Sequence, residues 1–187
     1  DIINKAAEAG TNVRVAGNGH SFTALDATGE EMLMLDKLQG LINMDKDKSQ
    51  ATAWAGTSIN NMNRLLFRNG YNLVNLGDID VQSIAGATAT GTHGTGLRFG
   101  NVSSQMSAFK IATADGQVLE CSKDINPDIF KAGQVSLGSL GIITQMTMDV
   151  VPAYKLEYVV KKDKLSKTLD NLEEHIANNR NYEFYWF

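Results

Sequence analysis

The chain has 187 residues, of which 43% are hydrophobic, enough for one globular domain or two small packed domains. Its net charge of −4 and scattered lysines exclude a basic surface of the kind that binds nucleic acid. A single cysteine, Cys121, excludes an internal disulfide framework and fits a reducing compartment. The 3 histidines lie too far apart in sequence to predict a metal site, so we expect none.

No apolar run approaches the ~20 residues that a transmembrane helix needs, and no signal-like segment opens the sequence. We therefore expect a cytoplasmic protein without a transmembrane segment, with peripheral membrane association left open. The chain begins inside a helical pattern and ends in the aromatic run Tyr182–Phe187. This favours a piece of a longer protein.

The first half predicts two short units. Residues 2–9 predict a helix that ends at Gly10, and residues 13–16 and 32–35 predict two short strands. Between these strands, the sequence Gly-Asn-Gly-His-Ser-Phe predicts a sharp turn over Gly17–Phe22. A strand at 51–55, a helix capped by Thr57 or Ser58, and a strand at 72–76 follow.

The second half predicts a largely antiparallel sheet. Residues 108–113 and 118–122 flank Asp115-Gly116, which is a strong hairpin signal. A strand over 142–150 alternates apolar residues and ends at Pro152. For residues 154–187 we expect a strand, a helix that begins near Asp163 and buries a stripe of Leu165, Leu169, Leu172 and Ile176, and a second strand.

Three segments are rich in glycine and other small residues. We name Gly17–Phe22 the first, Ser83–Gly96 the second and Ser136–Gly141 the third glycine segment. A backbone without large side chains can turn several N–H groups toward one anion, and a diphosphate is the natural guest of such a loop. We interpret the first two segments as loops that form two walls of one cofactor site.

Other familiar motifs do not account for these segments. The sequence contains no G-x-x-x-x-G-K-[ST] motif, and Phe22 stands where a Rossmann fingerprint requires Gly or Ala. No G-x-S-x-G frame supports a hydrolase. The chemistry is therefore expected to belong to a bound cofactor.

Four stretches together resemble the flavin domain of the sugar-1,4-lactone and alditol oxidases, in the vanillyl-alcohol-oxidase superfamily: residues 13–22, 75–86, 91–96 and 137–141. The resemblance covers about residues 1–153. It implies an α+β, PCMH-type FAD-binding fold of two α/β subdomains with FAD between them. The implied division is 1–50 for the first subdomain, 51–153 for the second, and 154–187 for the start of a C-terminal substrate domain.

By this resemblance the first glycine segment holds the FAD diphosphate, and His20 is joined covalently to the flavin. The second segment passes beside the flavin, and the third supplies backbone contacts toward the adenine. The implied cofactor residues are Gly17, Asn18, Gly19, His20, Ser21, Phe22, Gly77, Ser83, Gly86, Thr90, Thr92, His93, Gly94, Gly141 and Ile142. His93 has an equal alternative, a hydrogen bond to backbone within a tight loop.

By the same resemblance, the position just before the second segment faces the substrate side of the flavin and carries a small polar residue in alditol-oxidising relatives. Asp78 occupies it here and is the candidate catalytic residue, because its carboxylate could hydrogen-bond a substrate hydroxyl. Asp80 is a nearly equal alternative. The resemblance implies an FAD-dependent oxidoreductase that oxidises a CH–OH group of a small sugar lactone or polyol, with oxygen as the acceptor. Because the family's remaining substrate residues lie in a C-terminal domain, we expect this chain alone to bind the cofactor but to lack full activity.

Three alternatives stay open at this stage. Within the superfamily, the chain could belong to a flavin dehydrogenase or an alditol oxidase. From another class, a non-redox module could use the same segments to hold a nucleotide. Alternatively, the small residues only allow close backbone packing, and the chain is a scaffold without its cofactor.

Overall fold

A computed structural model describes all residues from Asp1 to Phe187. The helices are α1 (Ile2–Ala9), α2 (Ile59–Arg68), α3 (Ile84–Ala89), α4 (Pro127–Gly133), α5 (Leu165–Asp170) and α6 (Leu172–Asn178), with a 3-10 turn at Val102–Gln105. The strands are β1 (Val13–Ala16), β2 (Glu31–Met34), β3 (Leu41–Asp45), β4 (Gln50–Trp54), β5 (Tyr71–Leu73), β6 (Met106–Ala112), β7 (Val118–Ser122) and β8 (Ile142–Pro152). The expected α+β class is confirmed.

The N-terminal unit is α1 followed by the parallel pair β1 and β2, which confirms the elements predicted there. Gly10 ends α1 in the left-handed conformation, with φ of 67°. The Gly10 N–H donates to the Ala7 carbonyl, and the Thr11 N–H donates to the Ala6 carbonyl. A side chain at this φ would be strained, which explains the glycine. The first glycine segment leaves the end of β1 directly.

The larger sheet is antiparallel and has the strand order β3-β4-β8-β6-β7, while β5 pairs with the far end of β8. Strand β3 was not predicted, because Leu41–Asp45 has no continuous apolar pattern. Its pairing with β4 places residues 41–45 in the larger sheet, upstream of the boundary expected between residues 50 and 51. The division into subdomains stays a prediction.

The core lies between one face of the larger sheet and α2. Met146 and Met148 of β8 are fully buried, as are Met62 and Leu66 of α2. Ser58 caps α2 by accepting a hydrogen bond from the backbone of Asn61, at 3.2 Å, so the predicted cap is confirmed. The predicted hairpin of β6 and β7 is also confirmed.

The second glycine segment differs from the expected loop, because its first half is the helix α3. Three alanines favour this helix, and Ser83 caps it by accepting from the Gly86 N–H at 3.2 Å. The interpretation of residues 84–89 as an irregular loop was therefore wrong. The remainder, residues 90–96, contains no regular element.

The C-terminal residues also differ from expectation. The expected helix is divided at Asn171 into α5 and α6, and neither contains a buried residue. Leu165 and Leu169 are 42% and 50% exposed, because no other element packs over this stripe. Residues 154–164 and 182–187 contain no regular element and pair with no strand, so the two expected strands are absent. No helix has the length and apolarity that a membrane span requires.

Replacing Met146 with Ala should lower the free energy of unfolding by about 2–5 kcal/mol, because the side chain is fully buried in the core. Met34→Ala is the matched control: this methionine is 51% exposed, and the change should cost less than about 1 kcal/mol. Denaturant titration of both variants measures the difference. Equal losses would contradict the assignment of Met146 to the core.

Candidate functional site

A cleft of about 320 Å³ lies between the small parallel pair and the larger sheet. Its walls are the end of β1, the first glycine segment, α3 and the third glycine segment. This volume lies at the lower end of the range of about 300–1,000 Å³ that small-molecule sites occupy. The structure therefore brings all three glycine segments to one place.

The first glycine segment offers backbone donors that the protein itself does not use. None of the N–H groups from Gly17 to Ala24 donates to another backbone carbonyl. Unpaired N–H groups on a turn form a concavity suited to an anion. Asn18 holds the turn in place by donating from Nδ2 to the carbonyl of Val81, at 2.6 Å.

Gly17 approaches the second segment so closely that a side chain has no room. A Cβ atom at this position would lie 2.5 Å from Ser83 Oγ and 3.6 Å from the Gly86 Cα. Ser83 is itself 1% exposed and is committed to capping α3. The contact therefore requires glycine at position 17.

Backbone hydrogen bonds hold α3 on the loop that follows β4. Ile84 donates to the Thr57 carbonyl at 2.8 Å, and Ala85 donates to the Ala55 carbonyl at 3.1 Å. Of its residues, Ala85, Gly86 and Ala89 line the cleft, together with Thr90 at its end. The second wall is thus a short, firmly attached helix.

The third glycine segment closes the cleft against both neighbours. The Leu137 N–H donates to the Ala89 carbonyl at 3.0 Å, while Gly138 lies beside Val15 of β1. Leu137 has φ of 52°, a left-handed conformation that costs a non-glycine residue about 1–2 kcal/mol. Backbone strain of this kind is concentrated at binding sites.

Gly141 follows Leu137 and Gly138 in this wall and has φ of 138°. A Cβ there would lie 2.4 Å from the carbonyl oxygen of Ala112. Glycine alone permits this approach of β8 to β6 at the floor of the cleft.

The structure divides the residues expected from the sequence into two groups. Those that line the cleft are Gly17, Asn18, Gly19, His20, Ser21, Phe22, Ser83, Gly86, Thr90 and Gly141. Those that lie outside it are Gly77, Asp78, Thr92, His93, Gly94 and Ile142. His20 is an exposed lining residue, whereas Ile142 is a buried residue of β8.

Four residues of the second group form a close contact between two chain segments beside the cleft: Gly77, Thr92, His93 and Gly94. A Cβ on Gly77 would lie 2.8 Å from Thr92 Cγ2, and one on Gly94 would lie 1.8 Å from the Leu76 carbonyl oxygen. His93 is exposed, and its Nδ1 lies 3.1 Å from the Gly94 carbonyl, the backbone alternative considered for it. These glycines are required for chain packing.

Gln82 connects this contact to the cleft and was not recognised from the sequence. It lines the cleft, and its Nε2 donates to Thr92 Oγ1 at 3.0 Å. Its Oε1 is buried without a hydrogen-bond partner. An unpaired buried acceptor costs free energy, so a hydrogen-bond donor of a ligand in the cleft would remove that cost.

The two candidate carboxylates have different surroundings. Asp80 accepts a hydrogen bond from Asn60 Nδ2 at 2.7 Å, and its backbone carbonyl accepts from the Asn60 N–H. Asp78 is exposed and makes no hydrogen bond through its side chain. Asp80 is therefore engaged at the start of α2, and Asp78 is free to meet a ligand.

Several lining residues carried no recognisable signal. Arg14, Asp26 and Leu35 reach the cleft only through the packing of β1, β2 and the intervening loop. Arg14 and Asp26 are opposite charges within the lining, so the site has little net charge to attract an anion. Its affinity for a diphosphate must come mainly from the backbone N–H groups.

Residues 1–122 match a family described as FAD binding domain. The chain is 38% identical over all 187 residues to an L-gulono-1,4-lactone dehydrogenase of Mycobacterium tuberculosis H37Rv, 43% of whose length it spans. It is 38% identical over 178 residues to a D-arabinono-1,4-lactone oxidase of Yarrowia lipolytica, covering 91% of the chain and 34% of that protein. The chain thus spans less than half the length of these relatives.

The fold also matches a solved structure, the xylooligosaccharide oxidase of Myceliophthora thermophila C1 in complex with xylobiose. The TM-score is 0.74 at 21% identity, over 81% of this chain and 33% of that one. This confirms the PCMH-type fold expected from the sequence. With the family match over its first 122 residues and the three glycine segments at one cleft, the chain belongs to the FAD binding domain family.

Proposed function

We propose that this chain is the FAD-binding part of an oxidoreductase that oxidises a CH–OH group of a sugar 1,4-lactone. The observation that carries the proposal is the cleft bounded by three glycine segments, one of which keeps its N–H groups unpaired. Its support from known proteins is the family match and the two relatives named for 1,4-lactones. A non-redox nucleotide module has no comparable support.

The residues of the cleft fit FAD. The unpaired N–H groups after Gly17 would hold the diphosphate, and the small residues of α3 would let the cofactor approach the backbone. Gln82 offers an acceptor to a donor of the bound molecule. When bound, FAD supplies an acceptor for the two electrons released at the substrate carbon.

On the substrate side, Asp78 would accept a hydrogen bond from a lactone hydroxyl. An exposed carboxylate without a protein partner is suited to this role, whereas the carboxylate of Asp80 is already bonded to Asn60. The proposed role of Asp78 is to orient the substrate.

For the electron acceptor we propose oxygen. The two relatives, equally identical to this chain, are named as a dehydrogenase and an oxidase, so the acceptor is decided by experiment. With an L-gulono- or D-arabinono-1,4-lactone under air, the flavin-loaded full-length protein, which is also the protein for the kinetic tests below, should release hydrogen peroxide in proportion to lactone consumed. Turnover only with an artificial dye would replace oxygen by another acceptor, and no turnover with either would reject the lactone assignment.

For His20 we propose a covalent bond from the imidazole to the flavin. His20 is an exposed residue of the cleft lining, so its ring can reach a molecule bound there. The imidazole nitrogen would bond to the 8α-methyl carbon of the flavin, one methyl C–H and the imidazole N–H would each lose a proton, and oxygen would take up the two electrons. The bond would hold the flavin through turnover and denaturation.

Denatured wild-type protein should carry a mass excess equal to one FAD, and His20→Ala should lose it because the attacking nitrogen is gone. His93→Ala is the matched control, since His93 lies outside the cleft, and it should keep the adduct. Intact-mass spectrometry under denaturing conditions makes the comparison. A retained adduct in His20→Ala would reject the attachment site.

Gly17→Ala should weaken FAD binding by roughly five- to hundredfold, because its Cβ would lie 2.5 Å from Ser83 Oγ and displace one wall of the cleft. Gly29→Ala is the control, since a Cβ there meets nothing within 4 Å. Both changes are made in the His20→Ala background, so that binding is reversible. Flavin fluorescence titration gives the two affinities, and equal values would contradict the proposed diphosphate site.

Asp78→Asn should lower kcat/KM for the lactone by roughly ten- to hundredfold, because a charged acceptor of a substrate hydroxyl is lost. Asp80→Asn should change kcat/KM by less than about threefold, since the Asp80 carboxylate accepts a hydrogen bond from Asn60 at the start of α2. Steady-state kinetics with matched flavin content tests both. A larger loss in Asp80→Asn would reverse the assignment.

A further inference from the structure

Arg180 joins the C-terminal segment to the neighbourhood of the second glycine segment. Its guanidinium carbon lies 4.2 Å from the centroid of the Phe99 ring and 4.7 Å from that of Tyr154. Its Nη2 donates to the carbonyl of Val74 and, at 3.2 Å, to the hydroxyl of Tyr154. A planar guanidinium can stack and donate at once, which an ammonium group cannot match.

The next residue strengthens the same connection. Asn181 Nδ2 donates to the Thr95 carbonyl at 2.7 Å and to Asn75 Oδ1 at 3.2 Å. Asn75 Nδ2 in turn donates to the Thr95 carbonyl at 3.0 Å. Two adjacent residues therefore hold the segments around positions 75 and 95 together, and we name Arg180 and Asn181 the C-terminal clasp.

The backbone conformation of Gly96 permits this clasp. Its φ is 102°, and a Cβ there would lie 2.7 Å from the backbone carbonyl oxygen of Arg180. The last glycine of the second segment thus serves the approach of the C-terminal chain. It does not line the cleft.

We propose that Arg180 is a positioning residue: through the clasp it fixes the backbone at Val74 and Asn75, and so holds the chain that leads to Asp78 in place for a substrate hydroxyl. This inference rests on the proposed function, since it concerns the substrate side assigned to Asp78. Arg180 acts on the substrate only through residues 74–78.

The test compares kinetic constants for the lactone in flavin-loaded variants. Arg180→Ala should raise KM about five- to tenfold with kcat within about twofold and flavin content unchanged, and Arg180→Lys should restore part of the loss. Arg98→Ala is the matched control, since Arg98 is an exposed arginine near the same contact that makes none of these bonds. A KM in Arg180→Ala equal to that of Arg98→Ala would overturn the proposal. A rise in KM accompanied by equal losses of kcat and flavin content would also overturn it.

Hydrogen exchange separates this inference from the proposed function. The Val74 amide donates to Gln105 Oε1 at 2.9 Å, and Arg180 holds the carbonyl of the same residue. Peptides that cover residues 74–78 should exchange faster in Arg180→Ala than in Arg98→Ala, whichever substrate the enzyme uses. Wild-type protein that is inactive on lactones would reject the proposed function alone, while unchanged exchange in Arg180→Ala would reject the clasp.

Discussion

The site depends on the attachment of α3 to the end of β4. Two backbone hydrogen bonds, from Ile84 and Ala85 to the carbonyls of Thr57 and Ala55, fix this helix where β4 ends. Ser83 then caps α3 and presents the surface against which Gly17 packs. Because these contacts are made by backbone and by a buried hydroxyl, they leave little freedom in the distance between the two sheets.

Glycine serves two separate needs in this fold. Around the cleft, Gly17 and Gly141 bring chains together without side chains, and the adjoining N–H groups remain available to a ligand. Beside the cleft, Gly77, Gly94 and Gly96 allow chain segments to contact one another. The same residue type therefore marks both binding and packing, and only the surroundings distinguish the two.

The contacts around Val74 show how a substrate side could be assembled from distant parts of the chain. Gln105, Tyr154 and Arg180 each bond to the backbone at this position. They originate from the 3-10 turn, from the chain just after β8 and from the C-terminal segment. A residue such as Asp78, which follows in sequence, inherits its position from this convergence.

Local pattern in the sequence determined most elements of the fold and the existence of the site. Alternation predicted β6, β7 and β8, and capping residues predicted α1 and α2, because these signals act between near neighbours. The motifs at Gly17–Phe22 and Ser83–Gly96 indicated a cofactor site, and the resemblance of four stretches to a known family implied that the cofactor is a flavin. The tertiary structure alone decided that residues 84–89 form a helix, that β3 joins the larger sheet, and that Leu137 and Gln82 line the cleft. It also separated Asp78 from Asp80 and brought Arg180 to Val74. Such facts depend on contacts between residues far apart in the chain, which no local pattern encodes.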